Sequence, residues 1–124
     1  DTVLFSTKNG LVVKTKVKYL SGGQRQCLSL IMAAMKHPDI LLLDEHTAAL
    51  DPKTSNVIMK KTKELIDKYS MTTIMISHNM KDAIDYSDRI IMLDKGEIIL
   101  DEKSIDITEN QLIKIYREKL ENVA

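Results

Sequence analysis

The stretch Ile40-Leu41-Leu42-Leu43-Asp44-Glu45 decides the fold, because an unbroken apolar run stops there on two acids. A run this short reads as a strand covered on both faces, and such strands belong to sheets flanked by helices. Helical patterns lie on either side of it. Upstream, Ser21 is placed to cap a helix in which Leu28, Ile31, Met32 and Met35 recur at helical spacing. Leu30, Ala33 and Ala34 make the rest of its surface nearly apolar, so the helix is expected to be buried, and His37-Pro38-Asp39 stops it. Downstream, Asp51-Pro52 supplies an N-cap and a first-turn proline for a helix running to about Tyr69, with Ile58, Thr62, Leu65 and Tyr69 as its inner face.

Residues 72–76 read as the next strand, Ser77-His78 stands at its carboxyl end, and a short helix follows through Met80, Ala83 and Ile84. Strand, helix, strand, helix is the order of an α/β fold, expected here as a mostly parallel sheet flanked by helices. Ligands in such sheets bind beyond the carboxyl ends of the strands, where Asp44-Glu45 and Ser77-His78 both stand.

The ends of the chain are read from turn and cap chemistry. Thr2-Val3-Leu4-Phe5 and Leu11-Val12-Val13 flank Asn9-Gly10, a dipeptide suited to a two-residue hairpin turn. Ile90-Ile91-Met92-Leu93 and Ile98-Ile99-Leu100 flank Asp94-Lys95-Gly96-Glu97, a second hairpin. Thr108 and Gln111 form a capping-box pair for a final amphipathic helix with Leu112, Ile115, Tyr116 and Leu120 on one side.

The 124 residues match one ordinary domain, and 44% hydrophobic with 29% charged residues is a globular composition. The 18 basic and 18 acidic side chains cancel, so no bulk field draws in nucleic acid or an acidic membrane. The lone Cys27 excludes a disulfide framework and reads as a small buried hydrophobe in a reducing compartment. No apolar run approaches the length of a membrane span, and a cytosolic protein is expected. Because the sequence opens on Asp1 rather than Met, further sequence is expected upstream.

Ser21-Gly22-Gly23-Gln24 puts two glycines at a helix start, where backbone N–H groups and the positive end of the helix dipole can hold a phosphate. An apolar strand ending in Asp44-Glu45 suits phosphoryl transfer: one carboxylate helps hold Mg²⁺ while its neighbour orients or deprotonates the attacking water. Each feature alone has a plain structural explanation, as a tight turn, a solvated acidic loop, a polar strand end at His78 or an N-cap at Asp51.

In combination the odds change. Leu20-Ser21-Gly22-Gly23-Gln24, Leu41-Leu42-Leu43-Asp44-Glu45, Ala48-Ala49-Leu50-Asp51 and Ile76-Ser77-His78 stand in the order and at the separations of ATP-binding-cassette (ABC) ATPases, which residues 18–100 resemble. The resemblance implies a partial P-loop NTPase domain with a C-terminal hairpin and helix. It implies that Ser21, Gly22, Gly23 and Gln24 are the signature motif, contacting the γ-phosphate of ATP held by the opposite subunit. Asp44 is then the Walker B aspartate supporting Mg²⁺ through water, Glu45 the catalytic glutamate, Asp51 the aspartate of the loop that crosses the dimer interface, and His78 the switch histidine. The implied cofactors are ATP and Mg²⁺.

The implied partners are a second ATPase subunit in a head-to-tail dimer and the transmembrane permease subunits, with no nucleic acid. The implied location is the inner face of the cell membrane. The likeness is greatest to free-standing ATPase subunits of bacterial importer-type systems, in a branch that reads Asp-Glu-His-Thr-Ala-Ala-Leu-Asp-Pro-Lys-Thr as residues 44–54 do here. Three departures stand out. No Gly-x-x-x-x-Gly-Lys-[Ser/Thr] phosphate loop (Walker A) occurs, the glutamine loop is expected upstream, and His46 occupies a position where most family members have proline.

The expected organisation is an N-terminal segment at 1–19, a signature helix at 20–37, a Walker B to switch-histidine core at 38–100 and a C-terminal helix at 101–124. The rival readings are an inert fragment serving as an interaction module or remnant, and a soluble cassette ATPase working on ribosomes or DNA. Without the phosphate loop the isolated chain is expected to be inactive, and its strand edges are expected to be prone to aggregation.

Overall fold

The computed structural model describes residues 2–6 and 12–121, with side chains from residue 14 onward except that of residue 120. Its contacts fall into two compact units, Asp1–Met75 and Ile76–Ala124.

In the first unit, β1 (Thr2–Ser6) and β2 (Val12–Lys16) pair antiparallel, Thr2 opposite Lys16 and Ser6 opposite Val12. The turn expected at Asn9-Gly10 lies outside the described residues. A 3-10 turn at Val17–Tyr19 then leads through buried Leu20 into α1 (Gly22–Ala34). Next come β3 (Ile40–Asp44), α2 (Pro52–Tyr69) and β4 (Thr72–Ile76), with β3 hydrogen-bonded to β4. The core holds Leu30 and Ala34 of α1, Leu41 and Leu43 of β3, and Met71, with Ala33, Leu65, Ile66 and Met75 packed around it.

Three expectations change. The β3 strand is covered on one face only: Leu41 and Leu43 are buried while Ile40 and Leu42 are 56% and 70% exposed. Its apolar run is unbroken because the outer residues are apolar as well, and Ile74 of β4 adds to the same uncovered class of side chain. The packed face of α1 is Leu30, Ala33 and Ala34 rather than Ile31, Met32 and Met35, because the core lies along that one line of the helix. Finally, the strands form three two-stranded sheets rather than one mostly parallel sheet; in two of these, neighbours in sequence pair antiparallel.

On α2, Ile58 and Thr62 are buried as expected, and Met59 joins them. Tyr69 is partly exposed and meets the His37 ring edge-on, with centroids 4.9 Å apart. The helix ends on Ser70 in the left-handed conformation (φ 50°), after which the Met71 amide donates to the Ile66 carbonyl and the Met71 side chain turns into the core. This is the chain reversal that glycine usually makes, because a Cβ is disfavoured there.

The second unit contains α3 (Met80–Tyr86), β5 (Arg89–Asp94), β6 (Glu97–Lys103) and α4 (Glu109–Glu121). The strands form the expected hairpin, turning at Lys95 and Gly96, both at positive φ as a two-residue turn requires. Thr108 and Gln111 exchange the two capping-box hydrogen bonds at the start of α4. Ile90, Ile107 and Leu112 form this unit's core, while Tyr116 is 49% exposed. Among the described residues no helix is long and apolar enough to cross a membrane.

Ser70→Gly should stabilise the protein by about 1 kcal/mol, since the left-handed position then carries no side-chain penalty. Urea unfolding at equilibrium checks this, the expected result being a higher midpoint at unchanged slope.

Candidate functional site

The site residues of the first unit lie at the starts of α1 and α2 and on the loop between β3 and α2. At the start of α1, Ser21 is extended and its Oγ accepts a hydrogen bond from the Gln24 amide at 3.2 Å. The Gln24 side chain returns the bond, accepting from the Ser21 amide at 3.0 Å. This reciprocal box commits both polar side chains of the motif to their own helix end, and it does not use the N–H groups of Gly22 and Gly23.

The two glycines differ. A Cβ on Gly22 would make an ordinary contact, 3.5 Å from Leu50 Cδ2. A Cβ on Gly23 would fall inside the van der Waals envelope of Thr54 Cγ2. Gly23 is buried, and the close approach it permits is to the first turn of α2 within this chain.

That first turn is capped by Asp51, whose Oδ2 accepts from the Thr54 amide at 3.0 Å, with Pro52 next in line. Hydrogen bonds from Thr54 hold the Asp51 carboxyl below its ordinary value. The cap's contribution is therefore fully present above the unfolded carboxyl's value and is lost as pH falls through the folded one. Thr54 thus donates its amide to the Asp51 cap and fills the space above Gly23 with its methyl group.

Between β3 and α2, Asp44 closes the strand and is exposed; Glu45 follows, also exposed, in the left-handed region (φ 46°). A non-glycine residue held there costs on the order of 1–3 kcal/mol and persists only where its surroundings impose it. The Ala48 amide donates to the Glu45 carbonyl at 3.0 Å and the Leu50 amide to the Thr47 carbonyl at 3.1 Å, two tight turns that carry the chain to Asp51. His46 packs inward, its Nε2 lying 3.1 Å from Thr62 Oγ1 on α2.

In the second unit, His78 is exposed on the bend between β4 and α3. Ser77 Oγ accepts from the Asn79 amide at 3.0 Å, and Asn79 caps α3 by accepting from the Asp82 amide at 3.0 Å. Among the described residues no group of three His, Cys, Asp or Glu side chains is placed to hold a metal. The exposed Asp44 carboxylate suits a hard cation whose other ligands are phosphate oxygens and water, which is how Mg²⁺ is usually held.

The comparisons with known proteins agree with one another. The ABC transporter family profile matches residues 2–48. The chain is 54% identical over 106 residues to the tyrosine transport ATP-binding protein of Clostridioides difficile (strain R20291), covering 86% of this chain and 42% of that protein. It is 43% identical over 97 residues to phosphonates import ATP-binding protein PhnC 1 of Ruegeria sp. (strain TM1040), covering 78% and 38%. A dimeric ATP-binding cassette solved in a post-hydrolysis state with ADP and Pi matches 72% of this chain and 38% of its own, at 37% identity and a TM-score of 0.60.

In sequence and in structure the chain resembles the ATP-binding subunits of ABC transporters. Its fold is that of an ABC ATPase domain, an α/β P-loop NTPase, and it spans under half the length of the curated relatives it matches.

Sequence reading placed Ser21, Asp44, Glu45, Asp51 and His78 at the helix and strand ends where they stand. It did not connect Gly23 with Thr54 or His46 with Thr62. For the second pair a signal existed, since Thr62 is the one polar member of the apolar face Ile58, Thr62 and Leu65.

Gly23→Ala is expected to cost about 1–3 kcal/mol, the usual range for an overpacked position. Adding Thr54→Ser, which removes the offending methyl but keeps the amide and hydroxyl, should recover most of the loss. Urea denaturation of the two single variants and the double variant measures both steps.

Proposed function

We propose that this chain contributes the signature, Walker B and switch elements to an ABC ATPase that binds ATP with Mg²⁺ between two head-to-tail subunits and couples its hydrolysis to transport through a membrane permease. The observation that carries this reading is the presence, in one unit, of a capped double-glycine helix start and an acid pair at the end of β3, in a chain whose matched part is 37% identical in sequence to a cassette solved with ADP and Pi.

In this reading the backbone N–H groups of Gly22 and Gly23 face the γ-phosphate of ATP bound to the opposite subunit. Ser21 and Gln24 hold those groups in place through their reciprocal cap. Glu45 orients the attacking water and takes its proton as oxygen bonds to the γ-phosphorus and the bond to the bridging oxygen of ADP breaks. Asp44 would hold Mg²⁺ through a water, and the bound ion would supply neutralising charge to the phosphates. Asp51 stands on the loop that faces the partner, and His78 reaches the γ-phosphate from its bend after β4.

The apolar outer side chains Ile40, Leu42 and Ile74 are where the rest of the cassette, including a phosphate loop, packs. The complex sits at the inner face of the membrane through its permease. The relatives are named for tyrosine transport and for phosphonates import, so the shared residues serve nucleotide chemistry rather than one cargo. An importer of a small solute is the reading we favour.

In the full-length protein, Glu45→Gln should abolish steady-state turnover while leaving ATP bound in a stable dimer, because it removes the base and keeps the binding contacts. Size-exclusion chromatography with ATP, beside a phosphate-release assay, gives both readings. Wild-type turnover in that variant would remove Glu45 from the mechanism. Ser21→Arg should likewise stop hydrolysis without unfolding the chain.

A further inference from the structure

Glu45 is in the left-handed region at the start of a turn closed by the Ala48 amide. The next residue, His46, is half-buried, and its Nε2 meets Thr62 Oγ1 at 3.1 Å. Thr62 is 2% exposed, and its hydroxyl hydrogen is already committed to the Ile58 carbonyl at 2.8 Å. A hydroxyl has one hydrogen to give, so the imidazole must be the donor in the contact with His46. Both the Nε2–H tautomer and the imidazolium satisfy that requirement, and the bond survives protonation of the ring.

The loop from Glu45 to Asp51 is therefore fastened to α2 at both ends, by His46 to Thr62 and by Asp51 to Thr54. One fastening lies directly beside the strained residue. A proline following Glu45 would favour an extended conformation at that residue. Histidine permits the left-handed one and secures it with a hydrogen bond in place of a ring.

We propose that His46 is a positioning residue, whose hydrogen bond to the buried Thr62 holds the Glu45 carboxylate in the orientation that activates water. This rests on the reading of Glu45 as the catalytic base.

The test uses the full-length protein, with turnover counted per nucleotide-binding site. His46→Ala and Thr62→Val should each lower kcat about fivefold, the rate equivalent of one neutral hydrogen bond, with KM for ATP changed by less than about twofold. The double variant should be no slower than either single one, since the two residues share one interaction. His46→Gln, whose amide nitrogen reaches the same point, and Thr62→Ser, which keeps the hydroxyl, should regain most of the rate.

Glu45→Gln is the reference. If it is inactive while His46→Ala turns over like the wild type, the positioning role is overturned and the site reading stands. If Glu45→Gln itself turns over normally, the site reading fails and the proposal with it. A rate loss that disappears when turnover is divided by the number of competent nucleotide sites, or that His46→Gln and Thr62→Ser do not repair, also overturns the proposal.

Discussion

Thr54 fills the volume that a side chain on Gly23 would need, and this contact joins the first turns of α1 and α2. Helix starts are where backbone donors collect, so the contact puts two capped, donor-bearing turns next to each other on one unit. The role proposed for the glycine turn depends on that adjacency. Pushed apart by a methyl group at residue 23, the glycine turn and the Asp51 loop would no longer present one surface.

Helix α2 is the common anchor. Its N-cap Asp51 ends the loop, Thr54 seats Gly23, and Thr62 receives His46 one turn beyond buried Ile58. Two of these attachments are polar and both are hydrogen-bonded, and among the described residues no buried side-chain nitrogen or oxygen lacks a hydrogen-bond partner. The core beneath, built on Leu30, Ala34, Leu41, Leu43 and Met71, supplies the stability against which a left-handed Glu45 can be held. Ser70 adopts the same conformation for a different end, closing α2 so that Met71 can turn inward. One is conformational cost at a helix terminus, the other at the place where chemistry is proposed.

The local code was legible where a residue acts within its own turn. Ser21, Asp51-Pro52, Thr108 with Gln111, and Lys95-Gly96 all do what their positions foretold, because caps and tight turns are decided over a few residues. Which side of an apolar element is buried was not legible. The run Ile40-Leu41-Leu42-Leu43 is apolar throughout, so it cannot say that Leu41 and Leu43 are covered while Leu42 is bare. Likewise α1 is apolar nearly all round, and periodicity favoured Ile31, Met32 and Met35 where the core took Leu30, Ala33 and Ala34. Contacts between elements, such as Gly23 with Thr54 and His46 with Thr62, depend on how helices cross, and spacing along the chain carries no record of that.

The central proposal is that the glycine turn and Glu45 serve different nucleotides, one in the opposite subunit and one in its own. A mixed dimer of full-length Ser21→Arg and Glu45→Gln chains, isolated through two affinity tags, tests this most directly. Each parent dimer is defective at both of its sites. If signature and base act across the interface, the mixed dimer carries one site with an intact Glu45 and an intact signature from the other chain, and its ATP hydrolysis rises well above that of either parent. A mixed dimer as inactive as its parents would contradict the shared site and confine each motif to its own subunit.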